Sequence, residues 1–128
     1  MITGLTCGVK ISVECLYRKD LSNISNSMFF FNYRIVIENL NDYSIQLISR
    51  YWFIFDSLNP AKEITGEGVV GEQPILQPGQ KHVYVSGCDI NSEIGFMRGY
   101  YVFNRLDTKD SFRVAVPKFE LFAKMKMN

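Results

Sequence analysis

"SIQLISRYWFIFDS", residues 44–57, decides the fold. Ile45, Leu47, Ser49, Tyr51, Phe53 and Phe55 fall on one side of an extended chain. Gln46, Ile48, Arg50, Trp52, Ile54 and Asp56 fall on the other. Large apolar groups recur at every second position, not at every third and fourth, so the segment predicts a half-buried strand rather than a helix. Trp52 is expected in the core. Arg50 shares its side and is expected near a sheet end, paired with a carboxylate such as Glu72 or binding a partner's anion, because a dry core would leave the guanidinium unpaired.

The same period runs outward in both directions. "GVKISVECLY" (8–17) sets Val9, Ile11, Val13, Cys15 and Tyr17 against Lys10, Ser12 and Glu14; "NYRIVIEN" (32–39) sets Tyr33, Ile35 and Ile37 against Arg34, Val36 and Glu38. "KHVYVSG" (81–87) and "FRVAVPKFELF" (112–122) alternate as well. Turn chemistry falls between the runs at "NLNDYS" (39–44), "LNPAKE" (58–63), "QPGQ" (77–80) and "NRLDTKDSF" (104–112). The polar "RKDLSNISNSM" (18–28) reads as a mobile loop. In "MFFFNY", Phe29, Phe30 and Phe31 cannot all be buried by alternation, so a bulge or a surface ring is expected, with Phe30 as the candidate for a partner contact. The pattern predicts an all-β antiparallel β-sandwich of about eight strands, in one domain spanning 1–128.

Bulk composition narrows the function classes. A net charge of +1 offers no general attraction to nucleic acid, and none is expected as a partner. No stretch approaches the roughly 18 apolar residues of a spanning helix, so no direct membrane insertion is expected. Cys7, Cys15 and Cys88 are odd in number and lack CxxC spacing, which predicts reduced thiols in a cytoplasmic protein. With His82 as the single histidine, a structural zinc site is not expected.

"TGEGVVGEQP" (65–74) matches G-x-G-x-x-G at Gly66, Gly68 and Gly71. A dinucleotide loop needs a strand before it and a helix after it, whose first amides hold the pyrophosphate. Pro74, Pro78 and Gly79 stop any helix within about one turn, and Glu67 and Glu72 bring negative charge to the phosphate position. The glycines are therefore expected to serve a strand edge or a close backbone approach. A narrower alternative is a small nest of amides for an anion, with pyrophosphate or a nucleotide as its ligand.

This glycine stretch also carries a family resemblance. "TGEGVVGEQPILQPGQKHVYVSGC" (65–88) resembles the ApaG family pattern G-x-G-V-V-G-E-Q-P…L-x-P-G…Y-x-S-G-C. The resemblance continues in "IVIENLNDYSIQLISRYWFIFD" (35–56), "GFMRGYYVF" (95–103) and "VAVPKFEL" (114–121), and covers roughly residues 7–123. It implies a fibronectin type III/immunoglobulin-like sandwich and brings no established catalytic activity; no cofactor is expected. It also implies a link to cobalt resistance and magnesium efflux, and interaction modules where similar domains occur in larger eukaryotic proteins. Many bacterial members have S-R-H-W where this chain has Ser49, Arg50, Tyr51 and Trp52; a metal ligand at that histidine would be lost here.

Individual residues add little chemistry by spacing alone. His82 and Ser86 lie four apart on one strand, about 13 Å at roughly 3.3 Å per residue, too far for a nucleophile–base pair. Cys88 has no local base either. Asp56, Glu63, Glu67, Glu72 and Asp89 are the carboxylates available to a divalent cation; whether a metal binds is left open by the sequence. The expected function is a non-enzymatic binding protein in divalent-cation homeostasis, acting through a protein partner, as monomer or homodimer. A weak direct contact with a divalent cation or anion is kept within that expectation. The candidate surface is Gly66, Glu67, Gly68, Gly71, Glu72 and Gln73, with Arg50 and Ser86.

Overall fold

The computed structural model describes residues 1–123. Their strands are β1 (Ile2–Thr6), β2 (Val9–Tyr17), β3 (Phe29–Asn39), β4 (Ile45–Asp56), β5 (Asn59–Glu67), β6 (Ile75–Leu76), β7 (Lys81–Ile90), β8 (Ile94–Arg105) and β9 (Ser111–Phe122). Two antiparallel sheets form a sandwich: β1-β2-β3-β7, and β5-β4-β8-β9 with β6 paired to the start of β4. β9 packs against β1 and β2, closing one flank. β7 and β5 end their sheets at the other flank.

Alternation buries the expected sides of β2 and β3. Val9, Ile11, Phe31, Ile35 and Ile37 from the first sheet meet Leu47, Trp52, Met97, Tyr101, Phe103, Phe119 and Leu121 from the second. Trp52 lies between the sheets, edge-on to Tyr33 at 5.6 Å, Tyr101 at 6.2 Å and Phe119 at 6.0 Å. Phe29 and Phe31 point inward, while Phe30 lies half-buried outside, across Gly87. The β2–β3 ladder needs no bulge to accommodate the three rings.

β4 departs from a single alternation. Ile45 and Leu47 are buried, but beyond them the buried residues are Trp52, Ile54 and Asp56. Against β8, Leu47 pairs with Phe103 and Ser49 with Val102, so Ile48 is the extra residue of a β-bulge that exchanges the two faces. A second shift, where Met97 pairs with Phe119 and Gly99 with Val116, contains Pro117, which cannot donate to a ladder.

Three boundaries differ from expectation. The turn after β4 is Ser57–Leu58, and Asn59 already belongs to β5, so most of "LNPAKE" is strand. β1 was hidden because its hairpin turn uses Cys7 at φ 50° before Gly8 at φ 73°, without an Asn-Gly or Asp-Gly signal. Residues 18–28 contain two short 3-10 turns, Lys19–Leu21 and Ile24–Asn26. Arg18 joins Asp20 and Asn32 there, and the Asn23 side chain accepts from the Asn26 amide. The "QPGQ" turn is as expected: Gly79 has φ 81° and the Gln80 amide donates to Gln77.

Candidate binding surface at the glycine loop

The bulge at Ile48 creates the anchor for the loop that follows β5. The Ile48 carbonyl accepts from the Gly68 amide at 2.8 Å and from Gln73 Nε2 at 2.9 Å. The Leu47 amide donates to Pro74, and Gln46 Nε2 to the Gln73 carbonyl. Val69 enters the core, only 1 % exposed, and pins the loop from inside. Val70 at φ 48° and Gly71 at φ 76° form a two-residue turn, closed by the Val69 amide on Glu72 and the Glu72 amide on Val69.

Arg50 completes the strap. Its Nη1 donates to the carbonyls of Glu67 at 3.0 Å and Gly68 at 2.9 Å. The expected ion pair with Glu72 is not formed: backbone oxygens take the guanidinium, and the Glu72 carboxylate lies 3.9 Å from His82 Nε2. Gly66 lies against the guanidinium, where a Cβ would come within 2.8 Å of its Cζ, Nη1 and Nη2. Gly68, at φ 63°, faces the Glu72 carbonyl, and a Cβ there would collide with that oxygen. The first two glycines thus serve close approach and the third serves the turn. Of the Gly66–Gly71 amides proposed for an anion nest, those of Gly68 and Val69 already donate within the protein, to Ile48 and Glu72. The carbonyls point at a cation, and the cation is Arg50.

Inside this strap lies a polar cluster that period-two reasoning did not find. Tyr84 and Tyr101 join hydroxyls across the core, and Tyr33 lies beside Ser86. Burial raises the phenol pKa values of all three; Ser86 and the positive charge of Arg50 pull Tyr33 partly back. Ser86 and Arg50 therefore belong to one neighbourhood, whereas Glu67 and Glu72 lie on its exposed rim. The signal missed in the sequence was three tyrosines on inward positions of β3, β7 and β8. A buried phenol needs a partner, so three at one level predict a polar network.

Burial pushes the Cys88 thiol up to about 12 and the Cys15 thiol to about 11, which holds both protonated and weakly nucleophilic. Among the described residues, no three His, Cys, Asp or Glu side chains gather as a metal site. Asp56 lies buried beyond the other end of the Arg50–Trp52 segment, Glu63 and Glu67 stand on the exposed side of β5, and Asp89 is exposed on β7. No helix among the described residues is long and apolar enough to cross a membrane.

The outer face of the second sheet is aromatic. Tyr51 stacks on Tyr100 and Phe55 on Phe96, both at 5.0 Å. Arg98 lies over Phe53, Arg113 over Tyr100 and Lys118 over Phe96, at 4.3–4.5 Å. Phe55, Ile94, Phe96 and Phe122 line a groove of about 460 Å3 with Lys118 and Glu120. Position 51, a histidine in many resembling sequences, sits in this ladder, paired with Thr65 of β5.

Comparison with known proteins agrees with the topology. The family model described as the ApaG domain matches residues 19–105. The ApaG protein of Sinorhizobium fredii is 38% identical over 121 residues, covering 94% of this chain and 92% of that protein. The ApaG protein of Mesorhizobium japonicum is 37% identical with the same coverage. The crystal structure of an ApaA protein from Bordetella pertussis superposes with a TM-score of 0.85 at 36% identity, covering 89% of this chain and 92% of that one. With a strapped glycine loop on a nine-stranded sandwich and a match over most of its length, this chain belongs to the ApaG family.

Proposed function

We propose that this chain is a non-enzymatic binding protein of the cytoplasm, acting in divalent-cation homeostasis through a protein partner. One observation carries the reading: the outer face of β4, β8 and β9 is a ladder of stacked rings ending in exposed Phe55, Ile94 and Phe122. Contiguous apolar surface of this kind is costly to leave in water and is typical of contact sites. Arg98, Arg113 and Lys118 add positive charge without breaking the ring packing. The cation link comes from the family resemblance, and three free cysteines support a reducing compartment.

A photo-crosslinking amino acid at Phe55, compared in cells with one at Leu16 on the first sheet, tests the reading. Adducts at Phe55 but not at Leu16, together with changed Co2+ tolerance in the Phe55→Ala and Phe122→Ala variants, are expected. Equal labelling at both positions and unchanged tolerance would remove the outer face as the functional surface.

A further inference from the structure

Among the described residues, β5 is the last strand of its sheet, bonded to β4 alone. The Gly68 amide donates to Ile48, which sets the hydrogen-bonding phase of the ladder. In an antiparallel pair residues alternately face the neighbour. Lys62, Ile64 and Gly66 therefore direct their backbone groups at β4, opposite Ile54, Trp52 and Arg50. Glu63 and Thr65 direct theirs to solvent. Beyond Thr65 the edge is closed, because Arg50 occupies the Glu67 carbonyl. The strand lies exposed along almost its whole length, and Ile64 keeps 41 % of its surface in water.

We propose that this free edge, centred on Glu63 and Thr65, accepts an extended basic segment of a partner protein as an added strand of the second sheet. The inference deepens the partner-binding reading and rests on it. Charge selects the occupant. Glu63 and Glu67 project on the outer side of β5, opposite Phe53 and Ser49, and neither forms an ion pair among the described residues. An added strand with Lys or Arg at alternate positions sets its cations beside that acidic row, with direct neighbours about 5 Å apart. Its main chain pairs with the free groups of Glu63 and Thr65, the mode by which sheets take up peptides. Its inward apolar residues reach Ile64, which lies opposite buried Trp52. A second copy of this chain is the poorer occupant. In edge-to-edge registers centred on Glu63, Ile64 or Thr65, the glutamates of both copies share one face, directly opposite or diagonal, and like charges so placed repel.

The probe is a nine-residue synthetic peptide alternating Lys with Val and Thr, compared with its Glu-for-Lys counterpart, against isotope-labelled protein at up to millimolar peptide. The basic peptide is expected to slow amide exchange at Glu63 and Thr65 at least tenfold, and the acidic one to leave it unchanged. Thr65→Pro removes one outward amide and no β4 bond, and is expected to abolish the effect. Glu63→Lys with Glu67→Lys is expected to reverse the peptide preference in a chain with intact edge amides. No protection, protection that survives Thr65→Pro, or a preference indifferent to charge reversal would each overturn the proposal. Concentration-dependent protection without peptide would assign the edge to a second copy and overturn it too. Crosslinking at Phe55 separates the two readings: adducts there without edge binding reject the added strand and keep the binding module.

Discussion

Two loops are held to β4 by opposite charges. At its C-terminal end, the buried Asp56 carboxylate gathers the Asn91 amide at 2.7 Å, the Leu58 amide at 3.1 Å and Asn59 Nδ2 at 3.0 Å. Six residues earlier, half-buried Arg50 gathers the carbonyls of Glu67 and Gly68. The carboxylate organises loops by collecting N–H donors, and the guanidinium by collecting oxygens. The difference lies in the charged group itself: Asp56 is 5 % exposed and takes three donors, whereas Arg50 is half-buried and takes two carbonyls, that of Glu67 on the exposed rim.

The sharpest break in this comparison comes from Asp56→Ala, which leaves three donors without their acceptor. It is expected to cost about 3 kcal/mol, read as a shifted denaturant midpoint at unchanged m-value. Burial alone would raise the Asp56 pKa, but hydrogen bonds led by the Asn91 and Leu58 amides outweigh it and hold the group below the usual carboxylate value. Its charged form thus stabilises the fold fully above about pH 4, and that contribution is lost as pH falls through the depressed folded value. Asp56→Asn should flatten this acid limb of the stability profile; a variant with the parent's full acid dependence would remove Asp56 as its source.

At the other loop, Gly68→Ala combines a left-handed backbone with a collision at Glu72, and is expected to cost about 2 kcal/mol. Gly71→Asn keeps a tolerated left-handed residue at a position with open space, so it should change the melting temperature by no more than a few degrees. If the two glycine variants melt alike, the close approach at Gly68 is not what fixes the loop.

Arg50→Lys tests the strap itself. A single ammonium cannot reproduce the planar fork, and a loss of about 1 kcal/mol is expected. Amide exchange over residues 66–72 should quicken more than that of β3; a uniform rise would mean that Arg50 supports the whole sandwich. The smallest effect belongs to Glu72→Gln. Its contact with His82 is 3.9 Å long and Glu72 is 67% exposed, so the cost should stay within about 0.5 kcal/mol. A larger loss would restore Glu72 as a structural partner.

Strand identity and the location of most turns were legible in the sequence because each strand meets the core with one face and solvent with the other. That is why Val9 and Ile35 could be separated from Lys10 and Arg34 by their neighbours alone. The break in β4 was not legible. An apolar Ile48 among apolar neighbours leaves the period looking intact, and only the register against β8 reveals the extra residue. The glycine motif followed the same division: the proline spacing after it ruled out a helix, but the chain could not say what approached Gly66. The approaching group is Arg50, from a neighbouring strand, and its choice of carbonyls over Glu72 depends on where the bulge turns the backbone. Alternation is a local consequence of pleat geometry, so the sequence by itself determined the sandwich and its hydrophobic sides. The meeting of Arg50 with Glu67 and Gly68, of Tyr84 with Tyr101, and of three donors on Asp56 joins residues distant in the chain, and only tertiary packing could decide those partners.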